Sequence, residues 1–179
     1  MYRFYKGNFI MKVIIHDLEN EQFELMFPHI GKDTLVISDT GRIRNCIGCF
    51  GCWIKTPGEC VLKDGYEQMG AILSQTEKVI IISRCCYGGY SPFVKNVFDR
   101  SIPYCLPFFK TKKNETHHKP RYQSNFCLSI YFYGEQITAQ EMDTARSLVK
   151  ANSINFFVPQ YEVSFLKTPD DLRKAVMVQ

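Results

Sequence analysis

Short, almost wholly apolar runs separated by helical periodicities dominate the chain. Residues 11–16 (MKVIIH), 34–38 (TLVIS), 78–83 (KVIIIS), 125–133 (NFCLSIYFY) and 161–166 (YEVSFL) read as strands. Strands that are apolar through their middle, rather than alternating, suit parallel pairing with both faces covered. Helical patterns occupy residues 18–27, 66–74, 91–104, 138–152 and 170–176. This alternation predicts an α/β doubly wound parallel sheet. Residues 39–65 and 108–124 are the longest irregular stretches, and stretches of that length in a compact domain are usually functional or mobile. Ligands of such sheets collect at the carboxyl ends of the strands. The loops there begin at Asp17, Arg84 and Gly134, with the long loop after the second strand on the same edge.

The length of 179 residues allows one sizeable core, so residues 1–179 are read as one domain with residues 1–10 as an N-terminal extension. A net charge of +4, evenly spread, gives no footprint for nucleic acid. No apolar run approaches the roughly 18 residues needed to span a bilayer. The first ten residues lack the apolar stretch and small-residue cleavage site of a secretory signal. The expected location is therefore cytoplasmic, and the eight cysteines are expected as ligands, redox groups or buried apolar residues rather than disulfides.

Four of those cysteines stand in NCIGCFGCWIKTPGEC, at Cys46, Cys49, Cys52 and Cys60. Two-residue gaps with interleaved glycines let one loop turn several sulfurs toward one centre. Four thiolates suit an iron–sulfur cluster or a structural zinc ion, and the tight C-x₂-C-x₂-C run is nearer to ferredoxin-type spacing. Packed small residues without a metal are the plain alternative.

The third strand ends in SRCCYGGYSPFVKNVFDR, residues 83–100. Ser91 and Pro92 suit the cap and first position of a helix. Gly88 and Gly89 let a flat ring approach the backbone, with Tyr87 and Tyr90 placed to stack on or flank it. An ordinary strand-to-helix turn is the competing reading. Cys85 and Cys86 are redox candidates or packed thiols. Cys105 and Cys127 lie in apolar segments and are expected in the core. His117 and His118 fall in a basic stretch, residues 110–121, read as a solvated loop. Trp53 either shields a cluster from water or anchors the core. No arrangement for hydrolysis stands out.

Together the two motifs resemble the flavodoxin-like NADPH-dependent FMN reductases and, within them, the iron–sulfur flavoproteins. Ser83, Gly88, Gly89, Ser91, Lys95, Asp99 and Arg100 match the family's glycine loop, and the four cysteines match its compact cluster motif. The resemblance implies a three-layer sandwich with a five-stranded parallel sheet in the order 2-1-3-4-5. It also implies FMN at the sheet's carboxyl edge, an NAD(P)H or protein electron donor, and a homo-oligomer. The flavin site is then Cys86, Tyr87, Gly88, Gly89, Tyr90 and Ser91, with Tyr133 and Gly134. A [4Fe–4S] cluster on Cys46, Cys49, Cys52 and Cys60 would pass single electrons.

The chain departs from the family after its first strand. A glycine- and serine-rich phosphate cradle is replaced by His16-Asp17-Leu18-Glu19-Asn20-Glu21. Asp17 reads as a helix cap with Glu19 and Glu21 in the first turn. The expected function is thus a flavin-dependent redox protein. The alternative is a non-enzymatic descendant of the fold that has lost FMN and binds partners or senses redox state through its thiols or a metal.

Overall fold

A computed structural model describes residues 12–112, 114–123 and 126–172. The expected N-terminal extension and all but the start of the expected last helix lie outside these residues. In chain order the elements are β1 (Lys12–His16), α1 (Asn20–Met26), β2 (Thr34–Ile37), α2 (Gly51–Ile54), α3 (Met69–Ser74), β3 (Lys78–Arg84) and α4 (Pro92–Arg100). A 3₁₀ turn (Ile102–Tyr104) then leads to β4 (Cys105–Lys112), β5 (Glu115–Pro120), β6 (Cys127–Tyr133), α5 (Ala139–Asn155) and β7 (Tyr161–Leu166).

Five strands form one sheet in the order β2-β1-β3-β6-β7. Every pair in it is parallel, with Lys12 opposite Lys78 and Lys78 opposite Cys127. Counting only the strands of this sheet, the order is the expected 2-1-3-4-5. The sheet's alternate residues feed two cores. Val13, Ile15, Val79, Ile81, Leu128, Ile130 and Phe132 pack against α3, α4 and α5. Ile14, Ile80, Ile82, Tyr131 and Tyr133 pack against Phe23 and Met26 of α1 and against Leu172. β3 is buried from Val79 to Ser83, which explains why its middle carries no polar alternation.

Three expectations need correction. The helix read over residues 66–74 begins only at Met69. Tyr66 is instead a core residue whose hydroxyl donates to Ser38 O at 2.7 Å. The helix read over residues 91–104 stops at Arg100, because Pro103 cannot continue it, and the chain tightens into the 3₁₀ turn. The stretch read as a solvated basic loop is an antiparallel ribbon, β4–β5, with Phe109 opposite His118 and Lys110 opposite His117. Asn114, at φ 63°, supplies the left-handed residue at its turn. Cys105 packs against the larger core, while Cys127 at the start of β6 is half-buried.

His16 ends β1 and is 1% exposed. Its ring stacks on Phe23 at a centroid distance of 3.9 Å, and neither ring nitrogen has a hydrogen-bond partner among the described residues. Burial pushes its pKa down to about 4, against a smaller opposing effect of the Leu18 backbone. Between pH 6.5 and about 4 the unfolded chain therefore binds a proton that the folded chain refuses, and stability falls as pH falls through that window. Denaturant unfolding at stepped pH should show a loss of roughly 3 kcal/mol across it from this group. His16→Leu should flatten that part of the profile; an unchanged slope in the variant would contradict the assignment.

Candidate functional site

At the carboxyl edge of the sheet, Asp17 is not the cap of α1. That position is taken by Glu19, with no side-chain cap bond. The Asp17 carboxylate turns across the sheet instead. Its Oδ2 accepts from the Arg84 backbone N–H at 2.9 Å and its Oδ1 from the Tyr133 hydroxyl at 3.0 Å. One side chain thus ties the ends of β1, β3 and β6 together. Burial, then the Asp17 charge, pushes the Tyr133 phenol well above its ordinary pKa, so it stays a donor. The Asp17 carboxylate is thus already satisfied from within.

The turn after β3 is tight. Cys86 N–H donates to Gly89 O at 2.9 Å and Gly89 N–H to Cys86 O at 2.8 Å. Ser91 caps α4 through Val94 N–H, and its own N–H donates to Ser83 Oγ at 2.9 Å. Tyr87 stands out from the turn, 94% exposed with φ 53°. A bulky side chain held in the left-handed region costs of order 1–2 kcal/mol, and such strain concentrates at ligand sites. Tyr90 goes the other way. It is buried in the core, stacked on Phe98 and Phe132, with its hydroxyl receiving a hydrogen bond from Asn152 at 3.3 Å. Gly88 has φ 78°, and a Cβ there would lie 2.7 Å from Thr144 Cβ and 2.8 Å from Glu141 O. Its first requirement is the approach of the turn to α5. Gly134 N–H donates to Leu166 O at 3.0 Å, closing β6 onto β7. Cys85 and Cys86 are half-buried thiols, and burial raises both pKa values.

The four motif cysteines line one cavity of about 100 Å³, together with Trp53, Arg100 and an apolar wall that includes Ile47, Phe50 and Ile102. The loop that carries them has little regular structure. It is pinned to α4 by Asn96, whose Oδ1 accepts from Cys46 N–H at 3.4 Å and whose Nδ2 donates to Asn45 Oδ1 at 3.1 Å. Burial raises the Cys52 pKa to about 11, with further contributions from the charges of Cys60, Cys46 and Cys49. A cationic centre would relieve that cost of ionising Cys52. Among the described residues, no three Cys, His, Asp or Glu side chains meet closely enough for one metal ion. Zinc needs all its sulfurs about 2.3 Å from one point. A four-iron cluster takes one thiolate per iron and so accepts donors spread around a larger body.

Sequence reasoning missed two supports of this cavity. One is the buried pair Arg100–Asp64, closed at 2.7 Å between Nη1 and Oδ2. Burial alone would raise the Asp64 pKa, but the hydrogen bonds from Arg100, Arg44 N–H and Tyr66 N–H outweigh it and bring it to about 2. The other is the β4–β5 ribbon. Trp53 Nε1 donates to Cys105 O at 2.9 Å, and the Trp53 ring meets His118, which meets Phe109 in turn. Alternating Lys and Thr around Asn114 was the available signal for the ribbon; Asp64 offered none.

No protein-family model matches the chain. A curated iron–sulfur flavoprotein of Archaeoglobus fulgidus is 28% identical over 124 residues, which are 69% of this chain and 46% of that protein. The chain therefore spans about half the length of this curated relative. Among solved structures, an NADPH-quinone reductase of P. pentosaceus superposes with a TM-score of 0.53 at 12% identity, covering 94% of both chains. An FMN-dependent NADH-azoreductase of Bacillus anthracis, solved in complex with FMN, gives a TM-score of 0.52 at 8% identity, covering 92% of both. The chain shares the flavodoxin-like fold of these solved structures. The sequence relative agrees with the resemblance carried by the glycine turn and the cysteine loop.

Gly88→Ala should destabilise the protein by roughly 2–4 kcal/mol, since it adds a left-handed alanine to an overpacked contact with α5. Denaturant unfolding measures this; a loss below 1 kcal/mol would show that the turn is not held against α5.

Proposed function

We propose that this chain is a flavin-dependent redox protein of the iron–sulfur flavoprotein kind. The single observation that carries the reading is the gathering of Cys46, Cys49, Cys52 and Cys60 around one cavity, in a chain with this fold and this relative. Those four residues would hold the cluster. Arg100, buried in the cavity wall, would face it with a fixed positive charge, and Trp53, backed by the β4–β5 ribbon, would cover one side. When bound, a four-iron cluster passes single electrons, and a flavin takes up two and releases them singly.

The flavin ring would lie on the turn of Cys86, Tyr87, Gly88, Gly89 and Ser91, beside Tyr133 and Gly134. Exposed Tyr87 offers a face for stacking. α4 joins the two places physically: Ser91 caps its start and Arg100 ends it, roughly 13 Å further along at the usual helical rise. The names of the solved neighbours support NAD(P)H as the electron donor. A homo-oligomer and a cytoplasmic location remain part of this proposal. No helix among the described residues is long and apolar enough to cross a membrane.

The phosphate end of FMN fits poorly. Asp17 occupies the turn after β1 and already receives the Arg84 N–H and the Tyr133 hydroxyl. A dianion there would meet like charge and no free donor from these groups. This observation favours one second reading, a descendant of the fold that binds no flavin.

Two measurements test the proposal. Anaerobic reconstitution with iron and sulfide should give the broad visible absorption of an iron–sulfur cluster, and folded protein that takes up neither would overturn the cluster. Titration of the protein with flavins should show FMN and riboflavin binding within several-fold of each other. FMN binding a hundredfold tighter would reveal a phosphate site that Asp17 does not block, and binding of neither would establish the second reading.

A further inference from the structure

Arg100 ends α4, and its side chain is completely enclosed. A guanidinium has five N–H donors. Nη1 donates to Arg44 O at 2.9 Å and to Asp64 Oδ2 at 2.7 Å. Nη2 donates to Leu62 O at 3.1 Å and to Asp64 Oδ1 at 2.9 Å. The fifth donor, on Nε, is buried and has no hydrogen-bond partner among the described residues. The same side chain lines the cavity of the four cysteines. Cys60 lies beside the guanidinium, close enough to stabilise its charge electrostatically and as a hydrogen-bond acceptor, while Nε itself makes no bond of ordinary geometry.

A purely architectural arginine accounts for four of these donors and not for the fifth. The bonds to Arg44, Leu62 and Asp64 hold the cysteine loop on the end of α4. A donor of a charged group left unpaired in the interior is costly, so such atoms are rarely left without an acceptor. Of the acceptors lining the cavity, the Asp99 carboxylate is already paired with Lys95, which leaves the sulfur of Cys60 or those of a bound cluster.

We infer that Arg100 is the tuning and positioning residue of the cysteine site: its Nε–H donates to a sulfur of the bound cluster or of Cys60, and Asp64 holds the guanidinium in place to do so. This rests on the reading of the cavity as a cluster site. A hydrogen bond to sulfur and a fixed positive charge both favour the more negative, reduced state of a cluster, and so raise its midpoint potential. Asp64 partly offsets that charge from the far side of the guanidinium.

The test compares wild type, Arg100→Gln, Arg100→Lys and Asp64→Asn, each reconstituted anaerobically. Iron and sulfide content, far-ultraviolet circular dichroism and midpoint potential are measured for each. Arg100→Gln should shift the potential downward, and Asp64→Asn, which keeps the donor and removes its counter-charge, should shift it upward. Arg100→Lys, which keeps the charge without the Nε donor, should fall between Arg100→Gln and wild type. A merely structural arginine would lower cluster content or stability and leave the potential of the loaded fraction unmoved. Loaded variants that share the wild-type potential would overturn the inference alone. Wild type that folds but takes up no iron and sulfide would overturn the cluster reading and the inference with it.

Discussion

The buried ion pair between Arg100 and Asp64 ties the irregular cysteine loop to the end of α4. Between β2 and α3 the chain has only the four-residue α2 as regular structure, yet it must present four cysteines to one cavity. Arg100, rising from the end of α4, reaches into that segment and is answered by Asp64 and by two of the segment's own carbonyls. Breaking such a pair by removing one partner commonly costs about 3–5 kcal/mol, because the remaining charge stays buried. The cysteine loop is therefore positioned by tertiary electrostatics rather than by local propensity.

The opposite end of α4 is governed by a different constraint, close packing. The turn from Cys86 to Gly89 closes on itself through two backbone hydrogen bonds, and Gly88 brings it against α5 with no room for a Cβ. Above it, Asp17 draws together the ends of β1, β3 and β6. The carboxyl edge thus keeps the strained, exposed tyrosine that a ring-binding turn would use, while the corner for an anion is filled by the protein's own carboxylate. Both features follow from the same sheet edge, and they pull the flavin question in opposite directions.

The β4–β5 ribbon connects these themes. It follows the 3₁₀ turn imposed by Pro103, and it carries Cys105 and His118 to Trp53 at the rim of the cysteine cavity. Ile47 and Phe50 of the cavity lining, and Phe108 and Phe109 of the ribbon, remain exposed. The stretch that looked like a solvated basic loop is an element that packs on Trp53 beside the site.

Much was legible in the sequence because it depends on short-range pattern. The run at residues 78–83, apolar through its middle, required a central strand buried on both faces, the strand–helix alternation required parallel crossovers, and Ser91-Pro92 marked the start of α4. The spacing of Cys46, Cys49, Cys52 and Cys60 points to one shared centre; in the fold the four line one cavity, but among the described residues no three meet closely enough for one metal ion. What the sequence left open depends on contacts between residues far apart in the chain. Asp17 reads as a helix cap until Tyr133, 116 residues away, donates to it. Tyr90 reads as a ring contact until the core closes over it, and Asp64 has no local signature before Arg100 arrives 36 residues later. A side chain's partner across the fold is set by where the packed elements bring it, and local spacing carries no record of that meeting.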